Sequence, residues 1–118
     1  MYERQYRYEQ VWRSAVRLLR VDYGFPLHDR DPEIGFVMFD YMEGGRAHPG
    51  SMELVRGMEN RRETVRVTVH IPAMPSYIER MVLDKLQRKL REEYGTPLPP
   101  PPLPEPEPEV EEDDEDDD

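Results

Sequence analysis

The composition of the chain changes abruptly after Gly95, and this change limits what each part can fold into. Residues 1–95 contain all 16 Lys and Arg residues and 15 of the 26 Asp and Glu residues, so they are nearly neutral. The last 23 residues contain 11 acidic residues, eight of the 13 prolines and no basic residue. A segment of that composition has too little apolar surface to bury and is expected to stay disordered. We therefore predict one folded domain over 1–95 and a disordered tail over 96–118.

Length and composition also limit the class of protein. About 95 residues are enough for a single hydrophobic core. The chain has no cysteine, so disulfides, thiolate catalysis and cysteine-based zinc sites are excluded. The sequence contains no run of about 18 apolar residues, so no membrane span is predicted. The residues after Met1 lack the apolar core of a signal peptide. We expect a cytoplasmic protein as the sequence is written, or a cell-envelope protein if a signal peptide precedes Met1.

Two segments have the periodicity of amphipathic helices. Apolar residues recur every three or four positions over residues 8–19, and Trp12 is the largest side chain on the predicted core face. A second helix is predicted over residues 76–94, where Ser76 and Glu79 match the capping-box pattern and a glycine follows the last residue. The predicted buried stripe of this second helix consists of Ile78, Val82, Leu86 and Leu90.

Four short segments between these helices predict strands: 25–28, 34–41, 51–56 and 64–71. Pro26 places the first of them at an edge, because proline lacks the N–H group that an interior strand needs. The last alternates strictly, with Val65, Val67, Val69 and Ile71 facing inward and Thr64, Arg66, Thr68 and His70 facing outward. Turns are predicted at 29–33 and 57–62, and a loop at 43–50. This order predicts an α+β domain with a four-stranded antiparallel sheet and both helices on one face.

The chain contains residue types that support catalysis or metal binding in other proteins, but they lack the spacing that these functions require. Asp29, Asp31 and Glu33 alternate as in a calcium loop, but Ile34 occupies the position that needs glycine. No serine has the context of a nucleophile elbow, and no glycine-rich segment has the frame of a phosphate loop. The three histidines lie on separate segments, without ligand spacing: His28, His48 and His70. We therefore predict no metal, no cofactor and no enzymatic activity.

The strand over 34–41 is apolar on both faces, so it should be an interior strand with each side at least partly covered. One of its faces, carrying either Phe36 and Met38 or Phe39 and Tyr41, should lie on the open side of the sheet. An apolar group among polar residues often marks an interaction surface. The alternative is that residues 43–50 or 2–6 fold over this face. The candidate partner surface consists of Phe36, Met38, Arg66 and His70.

Arg13, Arg17 and Arg20 fall together on the side of the first helix opposite its apolar face. They form a candidate stripe for an anion or for the tail, and the alternative is an ordinary solvated helix face. The tail itself divides into a proline-rich spacer at 97–108, which contains P-x-x-P frames, and an acidic terminus at 109–118. The tail either docks on this stripe or keeps the protein soluble. Nucleic acid is an unfavourable partner, because the domain is nearly neutral and the tail repels phosphate.

The stretch Trp12-x2-Ala-Val-x-Leu-Leu, followed by Asp31-x3-Gly-Phe-Val-Met-Phe, resembles the opening of small helix-grip domains in bacterial envelope lipoproteins. The BamC-like components of outer-membrane assembly are an example of these domains. In them, an amphipathic helix with an early Trp leads through a short strand to an Asp and then to a Gly that opens a long strand. The resemblance covers residues 12–41. It implies a non-enzymatic accessory or scaffold domain and carries over no catalytic residue.

The sequence favours a non-catalytic interaction or scaffold domain that carries an acidic tail on a proline-rich spacer. Its partner is expected to be another protein or a second copy of this chain. The alternative is a small-ligand-binding or enzymatic α+β domain with a pocket between the sheet and the helices.

Overall fold

The structure is a computed structural model that describes residues 2–4 and 6–96. The elements of this part of the chain are β1 Tyr2–Arg4, α1 Tyr8–Arg17, β2 Leu27–Asp31, β3 Phe36–Glu43, β4 Arg46–Glu59, β5 Arg62–His70 and α2 Ser76–Tyr94. The strands form one antiparallel sheet in the order β1-β5-β4-β3-β2. The predicted α+β class, with four antiparallel strands between two helices, is confirmed. The unpredicted β1 adds a short strand beside β5, and the predicted spacer 97–108 and acidic terminus 109–118 lie outside the described residues.

The core lies between one face of the sheet and both helices. The predicted inward residues of β5 and the predicted stripe of α2 are all buried, which confirms the phase of both elements. On β3, Phe39 and Tyr41 face this core, so Phe36 and Met38 lie on the opposite, open face of the sheet. The core cluster also includes Val11, Ala15, Leu18 and Leu19 from the first helix and Met52 and Leu54 from β4.

The first helix differs from its prediction at its end and at Trp12. Regular α-helix ends at Arg17, and a π-helical turn follows over Leu18–Asp22, closed by a bond from the Tyr23 N–H to the Leu18 carbonyl. Trp12 is only partly buried and packs against the edge of the core. The periodicity placed it on the apolar arc correctly. That arc is wider than the surface that the sheet and α2 cover, so Trp12 lies at its border.

Strand β2 begins and ends later than predicted. The expected strand at 25–28 is shifted to Leu27–Asp31, and the predicted turn at 29–33 is wrong for its first three residues. These polar residues are extended because they pair with β3, where Asp29 lies opposite Met38. The turn follows Asp31, whose carboxylate accepts the backbone N–H groups of the next loop residues. The predicted edge position is confirmed, since β2 is the last strand of the sheet.

The predicted loop at 43–50 is a two-residue turn, and β4 begins at Arg46 instead of Ser51. Gly44 and Gly45 both have positive φ, as a tight hairpin turn of this kind requires. Pro49 pairs with Asp40 of β3, inside the extended strand. A proline is tolerated there because β5 ends opposite Ser51, so beyond that point β4 has no neighbour on its other side.

The second hairpin is also tighter than predicted. Strands β4 and β5 pair from Ser51 opposite His70 to Glu59 opposite Arg62, so the predicted turn at 57–62 shrinks to two residues with positive φ. Thr64 was expected to face solvent but is only 4% exposed. Its strand has neighbours on both sides there, because β1 pairs with the adjacent Val65.

The predicted capping box at the start of α2 is wrong. The N-cap residue is Pro75 and no side chain caps it, so Ser76 is the first helical residue instead of the cap. Glu79 turns to the preceding strand, where its carboxylate accepts the Ile71 N–H at 2.7 Å. The end of α2 agrees with the prediction, because Gly95 follows its last residue and donates to the Arg91 carbonyl.

Gly35 holds the turn between β2 and β3 against β4, and we expect its replacement to damage the fold. Its φ is +86°, and an added Cβ would collide with the backbone carbonyl of Leu54 and approach the Tyr8 hydroxyl. Gly35→Ala should lower the free energy of unfolding by more than about 3 kcal/mol. Gly24→Ala is the control, because Gly24 has a similar φ of +74° with no atom near the added carbon. The free energy of unfolding of Gly24→Ala, measured in urea, should be lower by about 1 kcal/mol. Equal losses would show that Gly35 makes no close approach.

Candidate functional site

An open groove of about 850 Å³ runs along the exposed side of α1. Its rim includes all three arginines of the predicted stripe, and a fourth, Arg56, comes from β4. Tyr8, Trp12 and Val16 supply aromatic and aliphatic surface, and the turn after β2 closes one side with Pro32 and Glu33. The complete lining is Tyr8, Glu9, Trp12, Arg13, Val16, Arg17, Arg20, Pro32, Glu33 and Arg56. Four arginines and two glutamates give these residues a net charge of +2.

Tyr8 joins the three parts of the groove. Its hydroxyl donates to the Pro32 carbonyl at 2.5 Å, which ties α1 to the turn after β2. The guanidinium carbon of Arg56 lies 3.9 Å from the Tyr8 ring centroid, a cation–π contact that brings β4 to the same place. Trp12 follows one helical turn later, and its ring stacks beside that of Tyr8 with centroids 6.4 Å apart. Burial raises the pKa of Tyr8, and Arg56 offsets part of this effect, so the hydroxyl stays protonated and can donate.

The groove faces away from α2. Ser14, on the other side of α1, donates to the Glu93 carboxylate at 2.6 Å and so marks the side that meets α2. Residues two positions apart on an α-helix point about 160° apart, so Trp12 and Val16 point away from that contact. Arg17 belongs to both sides, because it lines the groove and its charge also acts on Glu93.

An ionic network clamps the two helices together beside the groove. Lys89 donates to Asp22 at 2.9 Å and lies 3.0 Å from Glu93. The hydrogen bond to Asp22 raises the pKa of Lys89, against the opposing effect of burial. Burial alone raises the pKa of Glu93, but Ser14, Lys89 and Arg17 together outweigh it, and the net pKa lies below 4.5.

Basic character continues beyond the end of the groove. Arg20 also lines a smaller hollow of about 390 Å³ at the start of β2, together with Arg30 and His28. The Nε2 atom of His28 lies 2.7 Å from a carboxylate oxygen of Asp40. Arg20 therefore lies between two concave surfaces that both contain cationic groups.

The groove combines two kinds of recognition. Guanidinium groups stay charged at every physiological pH and bind carboxylates or phosphates through paired N–H donors. Aromatic faces set in a groove accept proline rings and extended backbone. The arrangement can therefore hold an extended anionic ligand with apolar or proline residues among its charges.

The four residues of the predicted partner surface all lie on the open face of the sheet. Met38 is 41% exposed and Phe36 is half-buried. Met38 and His70 both lie opposite Ser51, on either side of it, and Arg66 lies opposite Val55. The group therefore lies on β3 and β5, on either side of β4, and Ser51, Glu53 and Thr68 lie among its side chains.

Neither of the predicted covers lies on this open face. Residues 46–50 are part of β4, and β1 pairs at the sheet edge beside β5. The predicted stripe is different, because Arg13, Arg17 and Arg20 join aromatic residues in a concave surface. Two candidate surfaces therefore lie on separate sides of the domain, and the groove has the more specific chemistry.

Sequence reasoning missed Arg56, Pro32 and Glu33 as parts of the groove. It assigned Tyr8 and Trp12 to the core, which is correct for Tyr8, but it did not predict that both residues line a groove. One available signal was the spacing of Tyr8 and Trp12, which places two aromatic rings one turn apart and next to the arginine stripe. Within residues 2–4 and 6–96, no group of three or more His, Asp or Glu side chains could hold a metal ion. No helix of the described part of the chain is long and apolar enough to cross a membrane.

No protein-family model matches this sequence, and no curated protein matches it.

Two tyrosine hydroxyls should respond oppositely to removal. Tyr8→Phe removes the bond to the Pro32 carbonyl and should lower the free energy of unfolding by about 1 kcal/mol. Tyr23→Phe should be neutral or stabilising by up to about 1 kcal/mol, because the buried Tyr23 hydroxyl has no hydrogen-bond partner among the described residues. Burial and Tyr41 raise the pKa of Tyr23 to about 12, so its hydroxyl is protonated and neutral at pH 7. Urea unfolding measures both, and equal losses would show that Tyr23 has a partner.

The clamp between the helices should weaken in acid. The pKa of Glu93 is lower in the folded chain than its ordinary value of 4.5, so its contribution is complete above about pH 4.5 and is lost as pH falls through the folded value. At pH 7, Glu93→Gln should lose roughly 1 kcal/mol relative to the unchanged chain, and this difference should shrink toward pH 3. Glu92→Gln, at an exposed position next to it, is the control. A loss from Glu93→Gln that is constant with pH would contradict an ionic role.

Proposed function

We propose that this protein is a non-catalytic interaction domain whose groove along α1 binds an acidic, proline-containing segment of another polypeptide. The observation that carries the proposal is the convergence of Arg13, Arg17, Arg20 and Arg56 on one aromatic-lined groove. These arginines come from helix and sheet positions up to 43 residues apart in sequence, from Arg13 to Arg56. Carboxylates of the partner would pair with the guanidinium groups, and prolines would pack on the partly exposed Trp12.

The length of the groove favours an extended polypeptide over a single small anion. Its lining runs along the first helix from Tyr8 to Arg20, which corresponds to about 18 Å at 1.5 Å per residue. A polyproline II segment spans that distance with about six residues at 3.1 Å each. The alternative from the sequence, a small ligand held between sheet and helices, is less well supported because core side chains occupy that interface.

A phosphate ligand would also meet arginines here, but the charge of the whole chain disfavours nucleic acid. The chain carries a net charge of −10, and 11 of its acidic residues lie in one terminal run that repels a polyphosphate. A short acidic peptide has a lower charge density and can use the aromatic surface. An accessory role of this kind agrees with what the resemblance to helix-grip envelope domains implies, and that assignment stays a proposal.

Binding of defined probes tests this function. The protein is a full-length variant in which every Asp and Glu after Gly95 is replaced by Asn or Gln, so that its tail does not repel acidic probes. The probe is a fluorescein-labelled peptide of about three Pro-Glu repeats, matched to the groove length. Peptides of Pro-Gln and Pro-Lys repeats test the need for negative charge, and an oligothymidylate of similar length represents nucleic acid. We expect anisotropy to show binding of the Pro-Glu peptide alone.

A matched pair of double variants locates the binding surface. Arg13→Gln with Arg20→Gln removes two exposed arginines of the groove. This double variant should lower the affinity for the Pro-Glu peptide roughly tenfold, about 1.4 kcal/mol. Arg80→Gln with Arg88→Gln removes two exposed arginines of α2 and should change the affinity less than twofold. Equal weakening by both doubles would mean that only net charge matters. Tighter binding of the oligothymidylate would overturn the polypeptide assignment.

A further inference from the structure

We propose that the groove is occupied in the free protein by the chain's own acidic tail, which acts as a tethered competitor of the partner segment. This inference rests on the function proposed above, because it assigns a second ligand to the same groove. Three observations carry it: the composition of the tail, the place where the described chain ends, and the distance that the intervening residues can span.

The tail has the composition that the groove requires. Residues 104–109 alternate proline and glutamate, and nine of the last ten residues, 109–118, are acidic. The tail contains no basic residue, so none of its carboxylates is neutralised within the tail. All of them are available to pair with the arginines of the groove. Its prolines match the partly exposed aromatic surface of Trp12.

The described chain ends beside the helix that carries the groove. The Tyr6 hydroxyl donates to the Gly95 carbonyl at 2.6 Å, which fixes the end of α2 next to the start of α1. Two residues before Gly95, the Glu93 carboxylate accepts the Ser14 hydroxyl. The charge of Arg17, which lines the groove, also acts on Glu93. The tail therefore leaves α2 on one side of α1, and the groove lies on the other.

The tether is long enough to cross that helix. An α-helix with its side chains is about 10–12 Å wide. The eight residues 96–103 can span about 25 Å at 3.1 Å each, so the Pro-Glu repeat at 104–109 can reach the groove. Tethering of this kind produces an effective concentration in the millimolar range. At that effective concentration, even a weakly binding tail occupies the groove for much of the time. A partner can still displace the tail, because exposed ion pairs are weak and are screened by salt.

Trp12 reports the occupancy of the groove directly, because it lines the groove and is the only tryptophan in the chain. The experiment compares four full-length proteins: the unchanged chain, the tail-neutralised variant, the Arg13→Gln/Arg20→Gln variant and the combination of both. At about 20 mM salt, neutralising the tail should shift the Trp12 indole N–H resonance when the arginines are present and much less when they are replaced. At about 500 mM salt the shift should disappear. The Arg80→Gln/Arg88→Gln background should preserve it.

The Pro-Glu peptide gives a second readout that separates this inference from the proposed function. The unchanged chain should bind the peptide roughly tenfold more weakly than the tail-neutralised chain, for a tail contact with a dissociation constant near 0.1 mM. Equal, measurable binding by both chains would overturn tail docking while supporting the groove. Failure of both to bind would overturn the proposed function, whereas the Trp12 shift would still decide whether the tail docks. A Trp12 shift that grows with protein concentration between about 20 and 500 μM would overturn docking within one chain in favour of exchange between copies.

Discussion

The fold depends on a sheet that buries only one of its faces. Both helices must pack on that face, where Val65, Val67 and Val69 meet the stripe of α2. Helix α2 takes one side of the available surface and α1 takes the other, and the Ser14–Glu93 bond holds them together. The apolar arc of α1 is wider than the area left for it. Its outer part, at Trp12 and Val16, therefore forms the floor of a groove at the edge of the core instead of its centre.

This geometry explains why the arginines lie beside aromatic rings. Around an amphipathic helix, the charged side begins where the apolar arc ends. The partly buried Trp12 lies at this border, so the exposed Arg13 lies next to it. The turn after β2 then provides the second wall, because Gly35 lets it approach the Leu54 backbone closely. The same constraint that stabilises the core therefore produces a concave surface with mixed apolar and cationic character.

The sequence predicted those features that arise from local periodicity. The inward positions of β5, the stripe of α2 and the clustering of Arg13, Arg17 and Arg20 all follow from counting residues along one element. The missed features depend on contacts between elements. Polar residues such as Asp29 are extended only because β3 pairs with them. Arg56 reaches Tyr8 only because α1 packs beside β4. Periodicity also gives the centre of an apolar arc but not its border, so Trp12 was assigned to the core.

The two exposed surfaces of the domain differ in what can bind them selectively. On the open sheet face, Phe36 lies opposite Glu53 and Met38 lies opposite Ser51, so polar residues are mixed with the apolar ones there. In the groove, four guanidinium groups surround a concave aromatic surface, which rejects cations by repulsion and neutral peptides by leaving its charges without partners. In the proposed function, selectivity for a partner therefore comes from the groove. In the proposed arrangement the tail matters for the same reason, because a tethered segment of matching chemistry would set the affinity that any partner must exceed.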